Sequence, residues 1–300
     1  MRFIQVTDDR GKTLNWHAPP ARIVSLVPSD TYSLLRLGAG DRLIGRTRYC
    51  VAPAGEVEGI EIVGGTKDAD VDRIAALAPD LVIANQEENS KHDIDKLTSL
   101  GLRVLVSFPQ RVTAGLSHLA RLARALGLDR GAEPARSLVA NAYHAQRTAE
   151  AARDGRRPVR TFVPIWMDPL MTVHASTFIS DVLALAGAEN VFADRERRYP
   201  LAADLGTGAP LPADRVAGRD VRYPRVTLDE VIARAPDLIL LPDEPHAFTE
   251  ADAAVFRALD IPAAKKQDGI VRCDGKDLMW YGARSFEGLD RLRALVDAAR

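Results

Sequence analysis

The stretch VDRIAALAPDLVIANQEEN, beginning at Val71, returns 157 residues later as LDEVIARAPDLILLPDEPH, beginning at Leu228. The two copies align without gaps and share Asp72/Asp229, Ala76/Ala233, Ala78/Ala235, Pro79/Pro236, Asp80/Asp237, Leu81/Leu238 and Glu87/Glu244. Each opens with apolar residues at helical spacing (Val71, Ile74, Leu77; Leu228, Val231, Ala235) and reaches a proline, which cannot continue a helix. The short apolar run that follows, LVIA or LILL, suits a strand buried on both faces of a parallel sheet. A chain that writes this helix-to-strand unit twice is expected to fold as two equivalent α/β lobes.

The chain has 300 residues, 46% of them hydrophobic, enough for two medium cores. Its 40 basic and 41 acidic residues leave a formal charge of −1, so no global field draws it onto nucleic acid or an anionic membrane. A neutral partner or a small ligand fits that balance better, and the chain is expected to be a monomer. Cys50 and Cys273 form no CxxC or Cys/His cluster, which signals neither a zinc site nor a disulfide framework, although a single bridge between them stays open. Asp8, Asp9 and Arg10 fall where a signal peptide needs apolar residues, so the chain as encoded is expected in the cytoplasm, the alternative being a periplasmic protein whose leader has been omitted. No run approaches the roughly 20 apolar residues of a transmembrane segment.

Further strands are expected at 22–27, 42–45 and 103–107, then at 159–166, 171–174 and 269–273. Between these sets, ARSLVANAYHAQRTAEAARDG is rich in helix formers and almost free of Gly and Pro. It predicts a stiff helix of about 20 residues, on the order of 30 Å, instead of a flexible hinge, and so little relative movement of the lobes. The expected layout is an N-terminal α/β lobe at 1–128, a connecting backbone helix at 129–157 and a C-terminal α/β lobe at 158–300. The segment 201–221 lacks either periodicity and reads as a long surface loop, an insertion or a flap. His118 and His144 sit in helical stretches and are expected at the surface. Trp16 precedes APP in an N-terminal hairpin, away from the strand ends.

These blocks, with the opening VTDDRGKTLNWHAPPARIVSLVPSDTYSLLRLGAGDRLIGRTRYC, STFISDVLALAGAENVF and YPRVTLDEVIARAPDLILL, resemble the class III substrate-binding proteins, the helical-backbone metal receptors that carry cobalamin, ferric siderophores or haem to ABC importers. The resemblance runs from about Val6 to the C-terminal helix. It implies two Rossmann-like lobes with parallel sheets joined by one long rigid helix. It also implies that a metal chelate, held without catalysis and without a covalent cofactor, lies in a cleft between the lobes. The positions that match the family's ligand loops are Pro28, Ser29 and Asp30, Arg48 and Tyr49, Gln86, Glu87 and Glu88, Trp166 and Met167, Tyr223, and Trp280, Tyr281 and Arg284.

Flat aromatic faces suit a corrin, porphyrin or catecholate, and Arg48 and Arg284 suit carboxylate or phosphate groups on a chelate. The ordinary alternative for each aromatic is a core or surface residue. The resemblance further implies that Asp72 and Asp229 dock against a membrane permease, in competition with a local role offsetting the helix dipole. QEENSK stands where the resemblance would lead one to expect an apolar cobalamin contact. The competing class is a chelatase-like enzyme that binds metal directly through cleft His and Glu residues. His174 and His246, both expected to end strands, are its candidates, with His174, Glu87 and Glu88 as one ligand set. No GxSxG, HExxH, P-loop or GxGxxG accompanies them.

Overall fold

The computed structural model describes residues 3–129 and 131–300. Met1, Arg2 and Arg130, which the expected spans 1–128 and 129–157 include, lie outside the described residues. The chain divides into two compact units, Met1–His144 with Trp280–Arg284, and Ala145–Met279 with Ser285–Arg300.

The first unit opens with an antiparallel hairpin, β1 (Ile4–Thr7) and β2 (Thr13–Trp16), whose alternation buries Ile4, Val6, Leu14 and Trp16. Its sheet comprises β3 (Ile23–Ser25), β4 (Leu43–Arg46), β5 (Glu61–Ile62), β6 (Leu81–Asn85) and β7 (Val104–Ser107). They lie in the order β5-β4-β3-β6-β7, every pair parallel. Helices α1 (Pro28–Arg36), α2 (Val71–Ala76), α3 (Lys91–Ser99) and α4 (Val112–Ala125) connect them. Val24, Ile74, Val82, Leu97 and Val104 pack into one core cluster. The unit boundary falls inside α5 (Ala135–Arg153).

The second unit carries β8 (Val159–Phe162), β9 (Trp166–Met167), β10 (Leu170–Met171), β11 (Ala188–Asn190), β12 (Leu238–Pro242) and β13 (Ile270–Cys273). Its parallel sheet runs β11-β8-β12-β13, and β9 pairs with β10 in an antiparallel ribbon. The helices are α6 (Phe178–Ala186), α7 (Leu201–Asp204), α8 (Ala213–Val216), α9 (Leu228–Arg234), α10 (Glu250–Arg257), α11 (Gly275–Met279) and α12 (Ala283–Ala298). Phe162 anchors the core, its ring 5.2 Å from that of Phe192 and 5.9 Å from that of Phe256.

The repeat is visible in the backbone. α2 leads into β6 and α9 into β12, with both strands wholly buried and both starting at the matched leucines Leu81 and Leu238. Each helix is followed by an alanine in the left-handed region, Ala78 at φ 46° and Ala235 at φ 45°, the two such non-glycine residues among those described. An alanine there costs roughly 1–2 kcal/mol, and the extra chain entropy lost by glycine returns about 0.5–1. Ala78→Gly and Ala235→Gly should therefore each stabilise by up to about 1 kcal/mol, raising the melting temperature by roughly 1–3 °C. Thermal denaturation checks this, and a fall in either variant contradicts it.

Several expectations need correction. The stretch 171–174 is not a strand of the second sheet. Met171 ends the β9–β10 ribbon, and the amides of Thr172 and His174 donate to the carbonyls of Pro224 and Arg222. The segment 201–221 is not a featureless loop but carries α7 and α8 around the buried carboxylate of Asp204. Cys50 and Cys273 are both free thiols. The short strands β5 and β11 had no strand-like pattern to announce them. Among the described residues no helix is long and apolar enough to cross a membrane.

Candidate functional site

Because each sheet is parallel, the carboxyl ends of its strands lie along one edge, where open α/β sheets meet their ligands. In the first unit, β3 leads to Ser29 and Asp30, β4 to Arg48 and Tyr49, and β6 to Gln86, Glu87 and Glu88. Trp280–Arg284 joins the same edge, because the Tyr281 hydroxyl reaches the ends of three different strands' loops. It donates to Asp30 Oδ2 at 3.1 Å, lies 2.9 Å from Ser107 Oγ, and accepts from Asn85 Nδ2 at 3.0 Å.

Asp30 takes a second donor on its other oxygen, His118 Nε2 at 2.8 Å. Arg121 Nη2 lies 3.1 Å from His118 Nδ1, and a guanidinium only donates, so Nδ1 is the acceptor and Nε2 carries the proton. Arg121 in turn donates to Asp9 Oδ1 at 2.7 Å. Burial pushes the Asp9 carboxyl up, but bonds from Arg121 and the Phe108 amide hold it below the usual range. Burial and the Asp30 charge push the Tyr281 phenol well above its ordinary value, so it remains the donor this arrangement requires. His118, expected at the surface, is therefore wholly buried, because both its nitrogens have partners inside the unit.

Asn85 fastens the acidic loop from below. Its Oδ1 accepts from the amides of Glu87 at 2.7 Å and Glu88 at 3.0 Å, while Asn89 Oδ1 accepts from the Asn85 amide at 2.8 Å. The loop presents Gln86 and Glu88 to solvent and half-buries Glu87. Tyr49 is 53% exposed, with the Arg48 guanidinium 5.2 Å over its ring and itself paired with Asp68 at 2.6 Å. Trp280 and Tyr281, expected as stacking faces, are instead buried, Trp280 meeting the edge of Tyr32 at 6.2 Å. Arg284 lies 5.9 Å over the same Tyr32 ring.

In the second unit, Trp166 stands four residues beyond β8 and His246 four beyond β12, and the two rings meet edge to face at 5.5 Å. Phe248 backs His246 at 4.6 Å. His246 Nε2 lies 3.6 Å from Asp252 Oδ2, which the amide and hydroxyl of Thr249 already engage. Trp166 remains 43% exposed, its Nε1 donating to the Asp168 carbonyl at 3.0 Å. Met167 and Tyr223 are half-buried, the latter 5.3 Å beneath the Arg222 guanidinium.

Asp72 and Asp229 occupy matched places in the first turns of α2 and α9, both exposed. Capping is carried out by other residues. Asp70 accepts from the Arg73 amide at 2.9 Å, and Thr227 and Glu230 form a reciprocal box. Asp72 instead pairs with Lys96 across solvent at 3.0 Å.

This order of strands, loops and repeats has relatives. The sequence profile of the family described as periplasmic binding protein matches residues 23–257. The chain belongs to that family. It is 28% identical over 259 residues to the vitamin B12-binding protein of Yersinia pestis (strain Pestoides F), covering 86% of this chain and 82% of that protein. It superposes on the periplasmic vitamin B12 binding protein BtuF of Vibrio cholerae with a TM-score of 0.72 at 20% identity, over 94% of this chain and 98% of the other. The periplasmic haem-binding protein RhuT from Roseiflexus sp. RS-1 gives a TM-score of 0.72 at 22% identity, over 93% and 99% of the two chains. At these identities the superpositions establish the fold.

For a periplasmic binding protein, two further features help locate the chemistry. Among the described residues no group of three or more His, Cys, Asp and Glu is placed to hold a metal ion. A groove of about 850 Å³ in the second unit, lined by Arg153, Arg156, Glu189 and Arg300 among others, shares no residue with the expected ligand contacts. The residues that the sequence did not single out are Asn85, Ser107 and Arg121. Asn85 and Ser107 were visible as lone polar residues ending the apolar runs LVIAN and VLVS.

Proposed function

We propose that this periplasmic binding protein holds a metal chelate of the cobalamin, haem or ferric-siderophore class without catalysing a reaction, as the monomeric substrate-binding component of an ABC importer. The observation that carries this reading is that the carboxyl ends of the strands present an exposed aromatic in each unit, Tyr49 in the first and Trp166 in the second, amid polar loops that their own backbones hold in place. The named relatives are binding proteins for vitamin B12 and haem, which supports a chelate as cargo. That these relatives are periplasmic proteins supports export over a cytoplasmic location. The exposure of Asp72 and Asp229 at matched positions, with capping assigned to other residues, supports their use as permease contacts.

Titration with cyanocobalamin, haemin and ferric siderophores, followed by tryptophan fluorescence, tests the reading. One of these should bind the wild type. Trp166→Ala and Tyr49→Ala should each weaken it by about two- to tenfold, the worth of a stacking contact of roughly 0.5–1.5 kcal/mol. Absence of binding to all three ligands refutes the function, and unchanged affinity in both variants refutes the aromatic contacts.

A further inference from the structure

We propose that Arg197, Arg219 and Arg225 form an oxyanion subsite of the second unit, so that the chelate this protein takes carries a carboxylate or phosphate group. The inference rests on the chelate-binding reading and narrows it. The segment 195–225 holds seven arginines, and the structure sorts them by partner. Arg195 is buried and neutralised by Asp204 at 3.0 Å and Glu230 at 2.9 Å, and Arg222 pairs with Asp220 at 2.6 Å. Among the described residues no carboxylate forms a direct ion pair with Arg197 or Arg219; the nearby Asp220, which Arg197 feels electrostatically, is already engaged by Arg222. The Arg197 and Arg219 guanidinium groups lie over the ring of Tyr199, at 4.4 and 5.0 Å, a like-charge pair drawn to one aromatic face system.

Arg225 completes the group. Its Nε and Nη1 are shielded from solvent and meet no hydrogen-bond acceptor within the protein, a costly state for a charged group. Burial, and then the charge of Arg197, lower its pKa, and the nearby Asp204 carboxylate offsets them only in part. An arriving oxyanion offers the fork of a guanidinium the acceptors it lacks.

The backbone places this cluster beside the exposed indole. Arg225 bridges to Met171, and Met171 pairs with Trp166 across the β9–β10 ribbon. Two strand spacings, roughly 10 Å, thus separate the backbone of Arg225 from that of Trp166. That span suits a chelate whose flat face rests on Trp166 while an anionic group at its periphery reaches Arg225. Haem offers propionate carboxylates and cobalamin a phosphodiester, and the shared chemistry is the oxyanion.

The test compares wild type with Arg225→Met against haemin, haemin dimethyl ester and cyanocobalamin. The variant should lose roughly ten- to hundredfold in affinity for the anionic chelate that binds, the worth of a charged hydrogen bond. Its melting temperature without ligand should equal or exceed that of the wild type, because two shielded guanidinium nitrogens that meet no acceptor have been removed. If haemin is the ligand, its dimethyl ester should bind the wild type as weakly as haemin binds the variant; if cyanocobalamin alone binds, the phosphodiester is the source. Arg219→Gln, at an exposed position, gives the same comparison if Arg225→Met yields little protein. Equal affinity of wild type and variants overturns the proposal, as does a lowered melting temperature that accounts for the loss. If the wild type binds no chelate, the functional reading fails and inorganic phosphate judges the subsite separately: a thermal upshift in wild type but not in Arg225→Met supports it, and no upshift in the wild type overturns it.

Discussion

Asp30→Ala should destabilise the protein by about 3–5 kcal/mol, the usual penalty for removing one partner from a buried charged network. The melting temperature of the affected transition should fall by roughly 6–20 °C. Asp30 is wholly buried and accepts on both oxygens, from His118 Nε2 and from the Tyr281 hydroxyl. Its loss strands two buried donors and leaves the Arg121 to His118 arm without its terminus. Tyr281→Phe removes one donor and leaves His118 satisfied, so it should cost only about 1–2 kcal/mol. Asp30→Asn should fall between them, since an amide turns an N–H toward one of two donors. Denaturant unfolding of the three variants gives the order directly. If Asp30→Ala is no less stable than Tyr281→Phe, the carboxylate is not the hub of the network.

The network also marks where sequence reasoning stops. The α/β repeat was legible because helical and strand periodicities are local, and the copies even share a left-handed alanine before the proline. The strand-end loops followed from the parallel arrangement alone. Their internal wiring did not, because Asn85, Ser107 and Tyr281 come together across as many as 196 residues of chain. One part was readable in retrospect. His118 continues the buried stripe of Val112, Gly115 and Leu122 on α4, so its placement on the core face was encoded by spacing. The burial of Trp280 was not encoded in MWYGARS itself. It depends on Gly282, which turns the chain at φ +83° where a Cβ would lie 2.6 Å from Ser33 Oγ.

The second large effect is expected at Asp204, in the segment whose lack of periodicity reads as a long surface loop, an insertion or a flap. Asp204 is buried, and its Oδ1 accepts from Arg195 Nη1 at 3.0 Å and the Arg198 amide at 2.9 Å, while Oδ2 accepts from the Arg225 amide at 2.8 Å. One carboxylate thus gathers three separate stretches of chain around a buried guanidinium. Asp204→Ala leaves Arg195, itself only 5% exposed, short of a counter-charge and two amides short of an acceptor, at a cost of about 3–5 kcal/mol. The loss should be local first, since 196–225 is fastened to the unit largely through these bonds and the pairings of Thr172 with Pro224 and His174 with Arg222, while Tyr199 with Asp220 and Arg197 with Val221 tie the segment only to itself. Hydrogen exchange should therefore show amides of 197–225 losing protection in Asp204→Ala while those of β12 and β13 keep theirs. Arg195→Met combined with Asp204→Ala removes both charges together and should recover much of the stability, because the buried pair costs desolvation that an apolar replacement avoids. A double variant no more stable than Asp204→Ala would mean that the segment is held by its backbone amides and not by the ion pair.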